Sequence, residues 1–247
     1  MSDYQMLWQG SDEWGEIRVL DDGQYRILSF GENDEQSKQL KSAPGVPQHS
    51  YVQAMLLSLM FCQPKSAIVL GLGGGALLHS LKQYDAAIKL TAVELRPMVI
   101  EAAKRYFQLQ PGKKLQLIEA DAVDFLASAE HKRTDLIFAD IYTNDGVDAR
   151  QLAEVFFAGA QRLLKANGIL VLNCWKEHSV NRELLSRLQS RFADVYACLT
   201  AGGNWVVFAA NTPGTLSDVG LKARAEALSD KLDYAASRSL SRFGVWQ

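Results

Sequence analysis

Ser66-Ala-Ile-Val-Leu-Gly-Leu-Gly-Gly-Gly-Ala76 runs from a short apolar segment straight into a cluster of glycines. The residues after it, Ala76-Leu-Leu-His-Ser-Leu81, read as the start of a helix. A buried strand, a turn without Cβ atoms and a helix N-terminus in succession let a ligand come close to the backbone. Glu94 stands 19 residues beyond Gly75 and closes a second apolar strand, Leu90-Thr-Ala-Val-Glu94. A carboxylate there can accept two hydrogen bonds from a ribose diol. The pattern predicts a nucleoside-cofactor site.

Working outward from this turn, strands are expected at 67–71, 89–94, 115–119, 135–139 and 168–174. Helices are expected at 76–84, 97–107, 122–130, 150–165 and 180–191. Such alternation implies a mostly parallel sheet covered on both faces. Strands 194–200 and 204–210 flank Gly202-Gly203, so the sheet is expected to end in an antiparallel hairpin. Residues 215–240 read as one more amphipathic helix. Upstream, 16–20 and 24–30 alternate around Asp22-Gly23, the signal of a β-hairpin. Residues 31–47 are polar, with Pro44, Gly45 and Pro47, and read as a loop. An apolar helix over 51–61 follows, closed by Pro64. These boundaries give a small N-terminal β domain with its linker (1–47) and a nucleoside-binding domain (48–247).

In open α/β sheets ligands sit beyond the carboxyl ends of the strands. Gly71, Gly73, Gly75, Glu94, Asp121 with Ala122, and Asp140 all fall at such ends. Asp121 can take the exocyclic amine of adenine, and it can equally cap the helix that begins beside it. Asp140 would face whatever lies beyond the cofactor. Gly71-Leu-Gly73-Gly-Gly-Ala76 also fits a dinucleotide fingerprint, but that reading gives Asp121 and Asp140 no role.

The bulk numbers bound the function. With 26 basic and 28 acidic residues in 247, the net charge of −2 suggests no nucleic-acid or membrane partner. Cys62, Cys174 and Cys198 are too widely spaced for a zinc knuckle or a disulfide framework, and no metal is expected. No run approaches membrane-spanning length and no signal-peptide core opens the chain, so a cytoplasmic setting is expected.

Five segments resemble the polyamine aminopropyltransferases, the spermidine synthase family: Ile68-Val-Leu-Gly-Leu-Gly-Gly-Gly75, Thr91-Ala-Val-Glu-Leu95, Glu119-Ala-Asp-Ala-Val-Asp-Phe-Leu126, Asp135-Leu-Ile-Phe-Ala-Asp140 and Gly203-Asn-Trp-Val-Val-Phe208. The resemblance implies the Rossmann-like adenosylmethionine-transferase fold, a mostly parallel seven-stranded sheet preceded by a small β-hairpin domain. It also implies transfer of an aminopropyl group from decarboxylated S-adenosylmethionine to a small amine, and homo-oligomers such as a homodimer. Asp140 matches the family's catalytic aspartate, Tyr51 its tyrosine before the glycine strand, and Gln36 its N-terminal cofactor-contacting glutamine. Glycine at position 71 is the family's choice, where ordinary methyltransferases place an acid.

Three positions depart from the family. Gly74 stands where the motif carries the aspartate that binds the aminopropyl amine, Val52-Gln53 replaces a His-Glu, and Asp140-Ile-Tyr-Thr-Asn-Asp-Gly146 replaces Asp-Ser-Ser-Asp-Pro. Aminopropyl transfer needs a carboxylate to take a proton from an amine whose free pKa is about 10. Asp140 is expected to be that base, with Asp145, Asp148 and Glu177 available for the distal ammonium. Tyr142 and Trp175 are expected to wall an aliphatic slot. Two alternatives stay open: an S-adenosylmethionine-dependent methyltransferase of small molecules, and a catalytically silent nucleoside-binding protein.

Overall fold

The computed structural model describes residues 4–31, 34–128, 131–143, 146–217 and 220–247. Its first element is an antiparallel sheet of β1 (Gln5–Asp12), β2 (Gly15–Asp21), β3 (Tyr25–Ser29) and β4 (Glu35–Leu40), in that order. β2 and β3 are the expected hairpin. β1 and β4 were not expected, and β4 lies inside the segment read as a loop. The inward residues of β4 are Ser37 and Gln39, buried but polar, so the strand carries no hydrophobic alternation to read.

The chain then forms α1 (Ser50–Met55), which tightens into a 3-10 turn over Leu56–Met60. The alternating region supplies β5 (Ser66–Leu70), α2 (Ala76–Tyr84), β6 (Lys89–Glu94), α3 (Pro97–Tyr106), β7 (Leu115–Glu119), α4 (Ala122–Ala127) and β8 (Thr134–Ala139). A two-rung hairpin, β9 (Tyr142–Thr143) with β10 (Gly146–Val147), follows β8 directly. After a 3-10 turn at Ala149–Leu152 come α5 (Glu154–Leu163), β11 (Leu164–Trp175), α6 (Arg182–Gln189), β12 (Asp194–Leu199) and β13 (Asn204–Ala210). The chain closes with α7 (Leu221–Leu232), α8 (Ala236–Leu240) and β14 (Phe243–Val245).

The large sheet has the order β14-β12-β13-β11-β8-β5-β6-β7. Pairing is parallel from β11 through β7 and antiparallel from β11 to β14. It has eight strands rather than the seven expected. The extra one is β14, only three residues long, held by Phe243 against Phe61, Tyr196 and Phe208. The expected helix over 215–240 is two helices, because Asp233 adopts a left-handed φ of 53° and ends α7.

Alternate residues of the central strands feed two cores. Val69, Phe138 and Val171 pack with α1, α2, α7 and α8 on one face. Leu70, Ile137 and Leu172 pack with α4, α5 and α6 on the other. Phe156 and Phe157 of α5 are fully buried, each contributing roughly 1.5–3 kcal/mol of apolar burial. A third cluster, Ile17, Val19 and Leu28 against Val99, Ala102 and Phe107, seats the small sheet on α3. That docking places β4 beside the glycine turn.

Candidate active site

The carboxyl ends of β5, β6, β7 and β8 surround a cavity of about 380 Å³. Its wall includes Gly71, Gly73, Gly75, Glu94, Asp121, Ala122, Asp140, Gln36, Tyr51 and Tyr142 from the expected set. Asp148 joins them. Trp175 stands outside this wall: it is 44% exposed and lies against Gly146, with its ring centroid 6.1 Å from that of Tyr142. It supports the β9–β10 hairpin from behind. Glu177 sits on the exposed 3-10 turn after β11. Asp145 lies outside the described residues.

The N–H groups of the glycine turn are bonded to its own main chain, to β6 and to the Glu94 and Ser37 side chains. Gly71 has a φ of 89°, and a Cβ there would collide with the Asp140 carbonyl oxygen. Only glycine lets the ends of β5 and β8 meet so closely. Gly71 N donates to Val93 O (2.9 Å), Leu72 N to Glu94 Oε2 (2.9 Å), Gly74 N to Ser37 Oγ (2.8 Å) and Gly75 N to Leu72 O (2.9 Å). Four of the turn's N–H groups are therefore already bonded within the protein. A Cβ at Gly74 would lie 2.9 Å from both Ser37 Cβ and Phe107 Cδ1, so the space for the family's aspartate is filled.

Glu94 accepts Leu72 N on one oxygen and Arg96 N on the other (2.9 Å each), which fixes the carboxylate plane and leaves further lone pairs for a diol. Burial raises its pKa, against those hydrogen bonds and the Arg96 charge. Arg96, which sequence reasoning missed, reaches back to Asp12 (2.7 and 3.0 Å) and to Gly15 O (2.8 Å). It thereby pins the β1–β2 turn, with Trp14, over the cavity.

Asp121 does cap α4: its Oδ1 accepts Val123 N (2.8 Å) and Asp124 N (3.2 Å). Its Oδ2 pairs with Arg150 at 2.8 Å, and Arg150 also grips Asp148 at 2.7 Å. Burial pushes the Asp148 carboxyl up, but the Arg150 hydrogen bonds and charge outweigh it and hold it below the ordinary range. Nothing in the sequence spacing flagged Arg150.

Asp140 follows β8 and is half-buried in the cavity wall, facing side chains from α1, β6, β9 and β11. Burial pushes its pKa up to about 6, against hydrogen bonds from Asn173 and Tyr51 and with a further push from the Glu94 charge. Asn173 Nδ2 donates to Asp140 Oδ1 at 2.8 Å. Tyr51 and Tyr142 are both raised, first by burial and then by the neighbouring Asp140 charge. A carboxylate kept near half-ionised at pH 6 and ionised above it is suited to accept a proton at neutral pH.

Among the described residues no group of three His, Cys, Asp or Glu side chains could hold a metal, and no helix is long and apolar enough to cross a membrane.

The spermine/spermidine synthase domain profile matches residues 47–213. A polyamine aminopropyltransferase of Neisseria meningitidis is 30% identical over 233 residues, which is 92% of this chain and 88% of that protein. A probable spermidine synthase from Corynebacterium glutamicum superposes with a TM-score of 0.77 at 16% identity, covering 91% of this chain and 86% of that one. Human methyltransferase-like protein 13, crystallised with SAH, superposes with a TM-score of 0.69 at 20% identity, covering 76% of this chain and 94% of that one. These two structural likenesses carry the fold, which aminopropyl- and methyltransferases share. The profile match spans the glycine turn and Asp140, and on it and on the 30% identity the chain belongs to the spermine/spermidine synthase family.

Proposed function

We propose that this chain transfers an aminopropyl group from decarboxylated S-adenosylmethionine to a small polyamine. The observation that carries this reading is the charge of the cavity. Glu13, Asp34, Glu94, Asp121, Asp140 and Asp148 line it, against Arg96 and Arg150. Both arginines are already bound to carboxylates. The wall suits a cationic donor and a cationic acceptor, and the N–H groups of Gly71, Leu72, Gly74 and Gly75 are already bonded, which leaves fewer for a donor carboxylate.

The residues fit an adenosylmethionine-type nucleoside. The turn at Gly71 and Gly73 leaves room that Cβ atoms would fill, and Glu94 is oriented for a ribose. Ala120, Ala122, Val123 and Ile141 offer an apolar slot for the base. When bound, the donor supplies an activated carbon beside its sulfonium. The amine nitrogen forms the new C–N bond as the S–C bond breaks, and the sulfur leaves in methylthioadenosine. Asp140 takes the proton that the amine gives up. Tyr51 and Asn173 hold that carboxylate in place, and Tyr142 closes over it on the acceptor side.

A second reading, methyl transfer from S-adenosylmethionine, is favoured by Gly74: the acidic side chain that would hold an aminopropyl ammonium there is absent and its space is occupied. Calorimetry with decarboxylated S-adenosylmethionine and S-adenosylmethionine separates the two, joined to mass spectrometry of the products formed with diamines. Tighter binding of the decarboxylated donor and release of methylthioadenosine are expected. Preference for the carboxylated donor would establish the methyltransferase, and binding of neither would leave an interaction protein.

Two further expectations belong to this proposal. Cytoplasmic residence suits three unpaired thiols, Cys62, Cys174 and Cys198. A homodimer suits β1, an end strand that presents Met6 at 46% exposure; light scattering of the purified protein tests it.

A further inference from the structure

Asn173 is the one polar residue in the apolar part of β11, Ile169-Leu-Val-Leu-Asn-Cys174. It is 1% exposed. β11 runs parallel to β8 with Ile169 opposite Leu136 and Val171 opposite Phe138. One rung further on the same face brings Asn173 beside Asp140. The two side chains emerge toward α1, the helix that carries Tyr51.

The amide has only one sensible orientation. Its Nδ2 donates to Asp140 Oδ1 at 2.8 Å, since turning it over would set oxygen against oxygen. Held this way, Asn173 Oδ1 is buried without a hydrogen-bond partner. The Tyr142 hydroxyl, which could have satisfied it, goes instead to the Asn173 main-chain oxygen at 3.4 Å. A core position that gives up stability to keep an amide directed at one carboxylate is a mark of function rather than packing.

We propose that Asn173 is the positioning residue of the proton acceptor, fixing one oxygen of Asp140 so that the other is presented to the substrate amine. The naming of the amine rests on the aminopropyltransferase reading; the hold on Asp140 does not. The groups that face Asp140 are Tyr51 from α1, Tyr142 from β9, Glu94 from β6 and Asn173 from β11. Of these, Asn173 gives the largest pull toward the ionised form, so its removal raises the pKa of Asp140.

The test compares Asn173→Leu, which keeps the branching at Cγ and removes the donor, with Asn173→Gln, which keeps the donor. In the parent, kcat/KM should rise with pH through about 6. In Asn173→Leu that limb should move up by about one pH unit, a loss of about fivefold at pH 6 and almost none at pH 8. Asn173→Gln should return the limb toward the parent position. A limb that stays in place in Asn173→Leu overturns the proposal, as does an equal loss at both pH values. The same shift should appear in the carboxyl carbon resonance of Asp140 in the ligand-free protein, assigned by its absence from Asp140→Asn. That titration needs no donor, so it judges Asn173 even if neither form of adenosylmethionine is turned over.

Discussion

The two halves of the cavity are built in different ways. The donor half, at the ends of β5, β6 and β7, is made of backbone: Gly71, Leu72, Gly74 and Gly75 donate their N–H groups, and Glu94 and Asp121 are each fixed by main-chain amides. The half proposed for the acceptor, at the ends of β8 and β11, is made of side chains: buried Asn173 and half-buried Asp140, Tyr51 and Tyr142. On the proposed reading, a backbone cradle holds the nucleoside and leaves the reaction open, which suits a fold that this chain shares with a methyltransferase. In the other half burial raises the pKa of Asp140 to about 6, and on the same reading the chemistry is set there.

The sharpest way to break this contrast is Asp140→Asn. Turnover should fall by roughly 10²–10⁴, the range for loss of a general base. Affinity for methylthioadenosine, read by calorimetry, should stay within about twofold because the donor half is intact. Stability should move the other way. The folded-state pKa of Asp140 is raised from 3.8 to about 6, so the folded protein holds the proton more tightly than the unfolded chain. Its contribution to stability therefore falls as pH rises between those values, by roughly 3 kcal/mol in all. Asp140→Asn escapes that loss and should melt higher than the parent at pH 8, the difference closing below about pH 4. A large loss of nucleoside affinity would show instead that the two halves are one unit.

The donor half was legible in the sequence for the same reason that it is generic. Glycines at a strand end and acids at the next strand ends are spaced by the fold, so Gly71, Glu94 and Asp121 can be found by counting, as can Asp140 at the edge of the other half. The supports of the acceptor half could not be counted. Asn173 becomes the neighbour of Asp140 only through the β8–β11 register, and its one signal was an amide inside an apolar strand. Ser37 sits on a strand whose buried face is polar, and it meets the glycine turn only because the small sheet docks on α3. Trp175, the last residue of β11, read as a wall, yet it packs on Gly146 of the β9–β10 hairpin and stands outside the cavity lining.

Position 74 tests whether the donor half tolerates a side chain at all. Gly74→Asp restores the family motif in letters, but its Cβ would lie 2.9 Å from Ser37 Cβ and Phe107 Cδ1. Phe107 is fully buried in the cluster that joins the small sheet to α3. Overpacking of this kind costs about 1–3 kcal/mol, so the variant should melt several degrees lower. It should gain no affinity for decarboxylated S-adenosylmethionine. Phe107→Leu in the same chain should recover part of the loss, and a double-mutant cycle of melting measurements reads that coupling. A stable Gly74→Asp protein with tighter donor binding would mean that position 74 opens into the cavity.

The smallest expected effect belongs to the one side chain that ties the halves together. Arg150 is 55% exposed and spans Asp121 on the donor side and Asp148 on the acceptor side. Exposed pairs contribute below about 1 kcal/mol, so Arg150→Ala should leave the melting temperature nearly unchanged. Its consequence lies in the hydrogen-bond count. Asp121 Oδ1 is committed to Val123 and Asp124, which leaves Oδ2 for a base amine, and Arg150 occupies it. Freeing that oxygen should tighten methylthioadenosine binding by about two- to threefold, an effect that fades at high salt because the guanidinium is screened there already. The KM for the amine should rise, because Asp148, whose N–H bonds Ile141 O at 3.1 Å beneath the β9–β10 hairpin, loses its partner. Opposite shifts for donor and acceptor would show two separately built halves joined by one ion bridge. A tenfold loss of nucleoside affinity would instead make Arg150 part of the donor grip.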